Sequence, residues 1–572
     1  MDRAGLLMPS REEDSSMDGD GAGNHRDPVE FLVTFQPGGQ RIRCMPGMRL
    51  VEAARLNGIR IPADCGGRGR CRSCIVRIEG VVPDSTSGDR AIFNQTELEA
   101  GWRRACQAHL IGPCSVHLQR ASSVVTGQED GPRQVPVEAP ILVPTNEPGI
   151  WNRAGHRVGP VPGQSALGVA IDLGTSNIAA ALLELSSGEV LSTAAIENPQ
   201  IAFSADVIGR MTQALSNAAI GREMQTMAVE AITDLADTLT GGCAESIAEV
   251  AVVGNSVMQH LLLGLPLENL ARAPYLPFTL EPTDLHASEI GLQLAPGAWI
   301  HVGPNIAAFI GSDHVAALLD VMADPPTSPW VLIDIGTNTE ISVFSNGQLR
   351  SASCASGPAF EGGVLSCGMR AAPGAITRAR LDGEIHEIET IENGLPAGIC
   401  GTGVVSITSE LLRAGVLNQR GRLQLNHARV REQRQTREFV LADGGRQDAL
   451  PIVLTQADVR SIQLAKAAIR TGLDLLLDAA RLQEDQIQRF IVAGGFGRYL
   501  DLESAMSIGL LPAVPPGRIV QAGNSAGAGV RRMLVCACAR ERAIQLARQA
   551  QYLELATRPD FHKIFARRSL FI

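Results

Sequence analysis

The sequence predicts a multidomain α/β protein: a small open sheet curled over one helix, then a larger body of two similar lobes with a cleft between them. Three observations carry this reading. Five of the 12 cysteines, Cys65, Cys71, Cys74, Cys106 and Cys114, fall within about 50 residues of one another. An apolar strand running into Asp-x-Gly-Thr, followed by two further strands, occurs twice, roughly 160 residues apart. A Pro-rich stretch without periodicity separates the cysteine-rich segment from the first of these copies.

Composition removes several classes of function. A chain of 572 residues implies several domains. Its 60 acidic against 50 basic residues, net −10, argue against nucleic-acid binding as the main purpose. No run of about 18 apolar residues predicts a membrane span. The acidic N-terminus lacks an apolar signal-peptide core, so a cytoplasmic location is expected. In a reducing compartment, clustered cysteines point to metal or redox work rather than to a disulfide framework. Lys466 and Lys563 are the only lysines and no GxxxxGK(S/T) loop occurs, so ATP would have to be bound by another architecture.

The elements follow in order. Residues 1–28 are polar and expected to be disordered. Residues 29–120 form the first domain. VEFLVTF alternates as a strand, PGGQ turns the chain, and RIRC resumes a short strand. MRLVEAARLNG places Leu50, Ala53, Ala54 and Leu56 at helical spacing, with Gly58 as the stop. CIVRIEG and SVHLQ supply further strands. Residues 121–165 read as a semi-extended linker with a small docking element. Residues 166–546 form the two-lobed body, and 547–572 are left as a C-terminal tail.

Five residues separate Cys65 from Cys71 and two separate Cys71 from Cys74; Cys106 follows some 31 residues later. A 2Fe-2S cluster needs four thiolates and a loop wrapped closely round its sulfides. Gly66, Gly67 and Gly69 suit that loop because they tolerate positive φ and leave N–H groups free to face sulfur. A structural zinc site, the competing reading, usually takes two close CxxC knuckles, and only one is present. The five-residue gap resembles the adrenodoxin and bacterial hydroxylase ferredoxins, as does RRACQAHL around Cys106. That likeness implies a β-grasp ferredoxin-like domain with Cys65, Cys71, Cys74 and Cys106 as ligands. Cys114 is read as a thiol outside the ligand set and Cys44 as a buried strand residue. Cys354, Cys367, Cys400, Cys536 and Cys538 are read as small core residues.

IDLGTSN (171–177) and IDIGTNT (333–339) are strand ends running into small polar turns. Gly174, Thr175, Ser176 and Asn177 in one, and Gly336, Thr337 and Asn338 in the other, can form anion-binding nests of N–H groups. Asp172 and Asp334 would face each other across the cleft and hold Mg2+ directly or through water. Either copy alone reads better as an ordinary hairpin with a turn-stabilising Asp. A third element, FIVAGGFGRYL (490–500), adds Gly494, Gly495 and Phe496 where an adenosine would lie against backbone. The trio resembles the phosphate-1, phosphate-2 and adenosine motifs of the superfamily of actin, the heat-shock chaperone ATPases and the sugar and acetate kinases. This implies a two-lobed actin-like/sugar-kinase-like (ribonuclease H-like) ATPase domain. AFIGSDHVAALL and QAGNSAGAGVRRML resemble its two connecting motifs. Asp313 in the first is then a candidate carboxylate near the attacking water, a helix cap being the alternative.

A ferredoxin domain followed by this ATPase resembles the reductive activators of corrinoid proteins. NPQIAFSADVIGRM, VVGNSVMQHLLLGL, CASGPAFEGG and CGTGVVSITSELL match that family as well. The resemblance implies ATP-dependent one-electron reduction of Co(II) to Co(I) on a corrinoid protein of a methyltransferase system; as a hypothesis beside it, lobe closure round Mg·ATP would ease the reduction. It also implies an electron donor such as a reductase or ferredoxin, and a homodimer. Ser176-Asn177 and Phe203-Ser204 depart from the expected pattern. Two other classes compete: a sugar-kinase-like phosphotransferase with a regulatory iron–sulfur domain, for which no sugar motif is evident, and a nucleotide-gated electron-transfer protein. Arg68 and Arg70 read as a docking surface or as solvated charge, and His260 as packing without a catalytic role.

Overall fold

The computed structural model describes residues 30–59, 61, 67, 69, 74–118, 133–162, 165–382, 384–433, 436–442 and 451–571. In the first domain β1 (Phe31–Gln36), β2 (Gln40–Cys44), α1 (Leu50–Arg55), β3 (Ile75–Gly80), α2 (Ser87–Ile92), α3 (Gln95–Glu99), β4 (Trp102–Arg104) and β5 (Cys114–Leu118) follow in order. The sheet order is β2-β1-β5-β3-β4, with β1 and β5 parallel and the other pairs antiparallel, which is the β-grasp arrangement. Leu50, Ala53 and Ala54 are fully buried under this sheet with Val33, Val76 and Val116. Leu56 departs from the helical reading: α1 ends at Arg55, so Leu56 falls beyond the apolar face and is 60% exposed.

Residues 133–162 do more than link. β6 (Val143–Pro144), β7 (Trp151–Arg153) and β8 (His156–Val158) make a three-stranded sheet, and Val135, Leu142, Trp151 and Val158 join the core of the first lobe. That lobe continues through β9 (Leu167–Leu173), β10 (Asn177–Glu184), β11 (Val190–Glu197), α4 (Val207–Ser216), α5 (Ala218–Thr240), β12 (Ile247–Gly254), α6 (Ser256–Leu263), β13 (Thr283–His286), β14 (Trp299–Val302) and α7 (Ser312–Val321). Its sheet runs β11-β10-β9-β12-β14-β13. Every residue of β12 is buried, as expected of a strand with parallel neighbours on both sides. Within it Glu249, 0% exposed, binds Arg153 of β7 at 2.8 Å and Arg540 at 2.7 Å. Asp284 of β13 accepts from His301 at 3.1 Å and pairs with both arginines. Burial, seconded by Arg540, pulls His301 down to about 4, so it is neutral in this node.

The second lobe holds β15 (Trp330–Ile335), β16 (Thr339–Ser345), β17 (Gln348–Cys354), β18 (Ala375–Asp382), β19 (Glu384–Thr390), β20 (Gly398–Ile399), α8 (Gly401–Arg413), β21 (Val430–Gln433), β22 (Thr436–Ala442), β23 (Ile452–Thr455), α9 (Gln456–Ala480), β24 (Arg489–Ala493), α10 (Gly495–Tyr499), α11 (Leu502–Ser507) and β25 (Ile519–Gly523). From there α12 (Ser525–Val535) and α13 (Ala537–Gln549) return to the core of the first lobe, and β26 (Gln551–Tyr552) and α14 (Phe561–Arg568) come back to the second. Its main sheet runs β25-β24-β15-β16-β17-β26. In both lobes a three-stranded antiparallel meander is extended by parallel strands, so the repeated motif corresponds to a repeated structure. The C-terminal stretch belongs to this body. β26 extends the sheet, Phe571 is 2% exposed, and Lys466 of α9 donates to Leu570 O at 2.6 Å.

α7 and α12 pack closely where the lobes meet: a Cβ on Gly529 would lie 2.0 Å from Ala316 O. His314 of α7, pulled down to about 3 by burial, reaches Ser342 of β16 at 2.7 Å. Cys536 and Cys538, expected as separate core residues, are joined by a disulfide at the junction of α12 and α13, where extended backbone at Cys536 runs into the first turn of α13 and sets the two Cα atoms 5.5 Å apart. The first domain rests on the first lobe and faces the second. Arg55 pairs with Glu223 of α5 and lies 5.1 Å over the Phe203 ring. On its other side a cavity of about 420 Å³ is lined by Phe93, Asn94 and Glu97 together with Arg431, Glu438 and Val453. Among the described residues no helix is long and apolar enough to cross a membrane.

Candidate functional site

β9 carries Asp172 beside Ala179 of β10 and Val253 of β12. β15 carries Asp334 opposite Glu340 of β16 and beside Ala493 of β24. The two following turns meet: Ser176 Oγ and Thr337 Oγ1 are 3.5 Å apart. Glu361 joins them, accepting from the Ser176 hydroxyl and from Thr337 Oγ1 at 2.9 Å. Behind the first turn, Asn198 donates to Gly174 O at 2.8 Å, Arg210 to Thr175 O at 2.5 Å and Arg370 to Ser176 O at 2.7 Å. Arg370 also pairs with Glu197 at 2.9 Å and reaches Asn177 Oδ1 at 3.3 Å, clasping one lobe to the other. Burial and the neighbouring Arg370 pull Arg210 down to about 9, so it keeps its charge at neutral pH. Carbonyls engaged by cations and an amide favour an anion on the N–H side of the turn.

The carboxyl groups at this cleft are strongly perturbed. Burial raises Asp334 to about 7, with Asp313 adding to the shift. Burial raises Asp313 to about 6; its Oδ1 also accepts from the His314 N–H at 2.8 Å in the first turn of α7. Glu340 is lifted well above the carboxylate range by burial and by Asp313 and Asp334. Such a group of acids is eased by a divalent cation, which takes carboxylate and water oxygens.

Gly494 joins β24 to α10 at φ +89°, and a Cβ there would come 2.6 Å from Ile335 O and 3.0 Å from Asp334 Oδ1. Nothing lies within 4 Å of a Cβ placed on Gly495. Phe496 stacks on Phe360, next to Glu361, with centroids 5.6 Å apart. The described geometry thus gathers both turns, Asp334, Asp313, Gly494 and Phe496 around one cleft. Replacing Gly494 by alanine is expected to weaken ATP binding about 5- to 150-fold, the equivalent of about 1–3 kcal/mol of backbone strain beside Asp334. Isothermal titration calorimetry with ATP reads this out.

In the first domain Cys74 and Cys106 are each 1% exposed, and Cys74 O accepts from Ala105 N at 2.9 Å. Gly67 and Gly69 take φ of +73° and +68°. Two buried thiols on a shared backbone contact, beside left-handed glycines, fit thiolate ligation of an iron–sulfur cluster. Cys65, Cys71, Arg68 and Arg70 lie outside the described residues. Burial, with Cys44 adding, pushes the Cys114 thiol up to about 11, so it is protonated at neutral pH. His260 is buried; its Nδ1 contacts Ser256 O at 2.6 Å and its Nε2 accepts from Phe278 N at 2.9 Å, a structural role.

Sequence reasoning missed Glu340, Glu361, Arg210 and Arg370. Glu340 was within reach, since a tight hairpin after Asp334 sets it directly opposite. Glu361 stands in a segment singled out only for likeness, CASGPAFEGG.

The chain matches three family descriptions: "2Fe-2S iron-sulfur cluster binding domain" over residues 33–110, "RACo middle region" over 167–324 and "C-terminal domain of RACo the ASKHA domain" over 328–572. It is 32% identical over 421 residues to the corrinoid activation enzyme RamQ of Eubacterium limosum, spanning 71% of this chain and 70% of that one. It is 25% identical over 436 residues to the Co(II) methylated amine-specific corrinoid protein reductase of Methanosarcina barkeri, spanning 70% and 76%. Among solved structures, one titled reductive activator for corrinoid,iron-sulfur protein superposes with a TM-score of 0.69 at 27% identity, covering 95% of this chain and 98% of that one.

Proposed function

This chain belongs to the family of reductive activators of corrinoid proteins, and on that premise we infer that it uses ATP to deliver single electrons to the cobalt of a corrinoid protein, Co(II) to Co(I), in a methyltransferase system. The observation that carries the reading is the meeting of the two hairpin turns at Ser176, Thr337 and Glu361, which brings residues of both lobes together at one place in the cleft.

Gly174, Thr175, Ser176 and Asn177 receive one part of the triphosphate, and Gly336, Thr337 and Asn338 the other. Asp172 and Asp334 hold Mg2+, and Asp313 orients the attacking water. Gly494, Gly495 and Phe496 bed the adenosine. Binding draws the lobes together about α7 and α12. ATP favours the electron-accepting complex only through its different affinities for the open and closed forms. Cys65, Cys71, Cys74 and Cys106 hold the 2Fe-2S cluster, which supplies one-electron chemistry. The limits 29–120 are kept for the cluster domain, whereas the ATPase body, expected at 166–546, is widened to take in residues 133–162 and the C-terminal stretch, which pack into its two cores. A reductase or ferredoxin loads the protein, two copies assemble, and the site of action is cytoplasmic; these follow the family likeness.

The test is anaerobic mixing of cluster-loaded protein with candidate corrinoid proteins, the cobalt spectrum being followed with and without Mg·ATP. Appearance of Co(I) only with nucleotide is the expected result; equal reduction in both arms rejects the coupling.

A further inference from the structure

The fourth cysteine of the cluster set, Cys106, is flanked by two side chains that both reach back to the loop carrying the first ligands. Arg104, 3% exposed, binds Asp89 at 2.9 Å through Nε, touches Thr86 Oγ1 at 3.2 Å, and donates to Gly69 O. Asp89 is itself fixed in the capping box that opens α2, accepting from Thr86 N at 2.9 Å. Gln107 sends its amide Nε2 to Gly67 O at 2.8 Å, to Cys106 O at 3.2 Å, and to Cys106 Sγ at 3.7 Å.

The two arms differ in chemistry. Arg104 acts on the loop only, and its charge is matched by buried Asp89. Gln107 acts on the loop and on the sulfur. Its amide has two hydrogens facing three acceptors, with Gly67 O the nearest, so the sulfur takes a share set by its charge. A thiolate on iron gains negative charge when the cluster is reduced, and a donor aimed at it favours the reduced form. Because Gly67 O holds the amide in place, the donor is pre-oriented and does not have to be drawn in on reduction.

We propose that Gln107 is a positioning residue that sets the reduction potential of the 2Fe-2S cluster, through an amide hydrogen bond to Cys106 Sγ held in register by the Gly67 carbonyl. The proposal rests on the reading of the cysteines as cluster ligands. Gln107→Met removes both donors at nearly constant volume, and Gln107→Leu is a second, stiffer variant. EPR-monitored redox titration of the full-length, cluster-loaded proteins should place both variants at a more negative midpoint potential than wild type, with the g-values and visible spectrum of a 2Fe-2S cluster retained. An equal or less negative midpoint in a variant with an intact spectrum overturns the proposal. A measurement on the wild type needs no variant: with glutamine labelled by 15N in its side-chain amide, pulsed EPR of the reduced protein should detect hyperfine coupling to that nitrogen, and its absence overturns the proposal as well. Failure of wild-type protein to show a 2Fe-2S spectrum at all would instead strike the ligand reading beneath it.

Discussion

Asp334→Asn is expected to lower the ATP-stimulated rate of corrinoid reduction at least ~100-fold, the scale on which loss of a group stabilising transferred phosphoryl charge acts. The cluster spectrum should be unchanged, because Asp334 lies in the second lobe and the cysteines in the first domain. Following the cobalt spectrum anaerobically with Mg·ATP measures the rate. A variant that keeps the wild-type, ATP-stimulated rate would refute the coupling. The same substitution carries a pH signature. Burial and Asp313 raise the folded-state pKa of Asp334 from 3.8 to about 7. The native protein therefore holds its proton more tightly than the unfolded chain does, so this group contributes stability at low pH that is lost as pH climbs from about 4 to 7, and nothing more is lost above that. Asparagine does not titrate. The thermal midpoint of the variant should gain on that of the wild type across this window in the absence of nucleotide and metal, with a plateau above it.

Glu249→Ala should cost about 3–5 kcal/mol of stability in the first lobe, since it removes the carboxylate between two buried guanidinium groups. The penalty arises mainly from the charges left behind. Asp284 still faces both arginines, but burial is offset there by the hydrogen bond from His301 and by the arginines, which hold its carboxyl far below the usual range. It is already committed as an anion and has no further charge to offer. Chemical denaturation should show the loss. Limited proteolysis adds a local readout, because Arg153 is one of the ties between the β6–β8 sheet and the lobe: cleavage within residues 133–162 should speed up in the variant.

Local chemistry was legible in the sequence. The cysteine spacing and its glycines foretold the first domain, and the paired Asp-x-Gly-Thr turns foretold two lobes, because a hairpin and a metal loop are written in consecutive residues. Leu56 shows the limit even there: helical spacing continues past Arg55, yet the turn at Gly58 had already ended the helix. What stayed hidden was made by distant partners. Glu361 reaches Ser176 across 185 positions and Arg540 reaches Glu249 across 291, and no periodicity encodes such meetings. The 133–162 segment escaped for a related reason. Its strands are two or three residues long, too short for alternation to register, and they form because the first lobe offers apolar surface for Trp151 and Val158.

The seating of the cluster domain has a mechanical consequence. The domain is held to the first lobe by Arg55 and faces the second across the cavity beside Phe93 and Glu97. If the lobes turn against each other, the small domain is expected to travel with the first lobe and the cavity to change shape, on the microsecond-to-millisecond scale of domain swings.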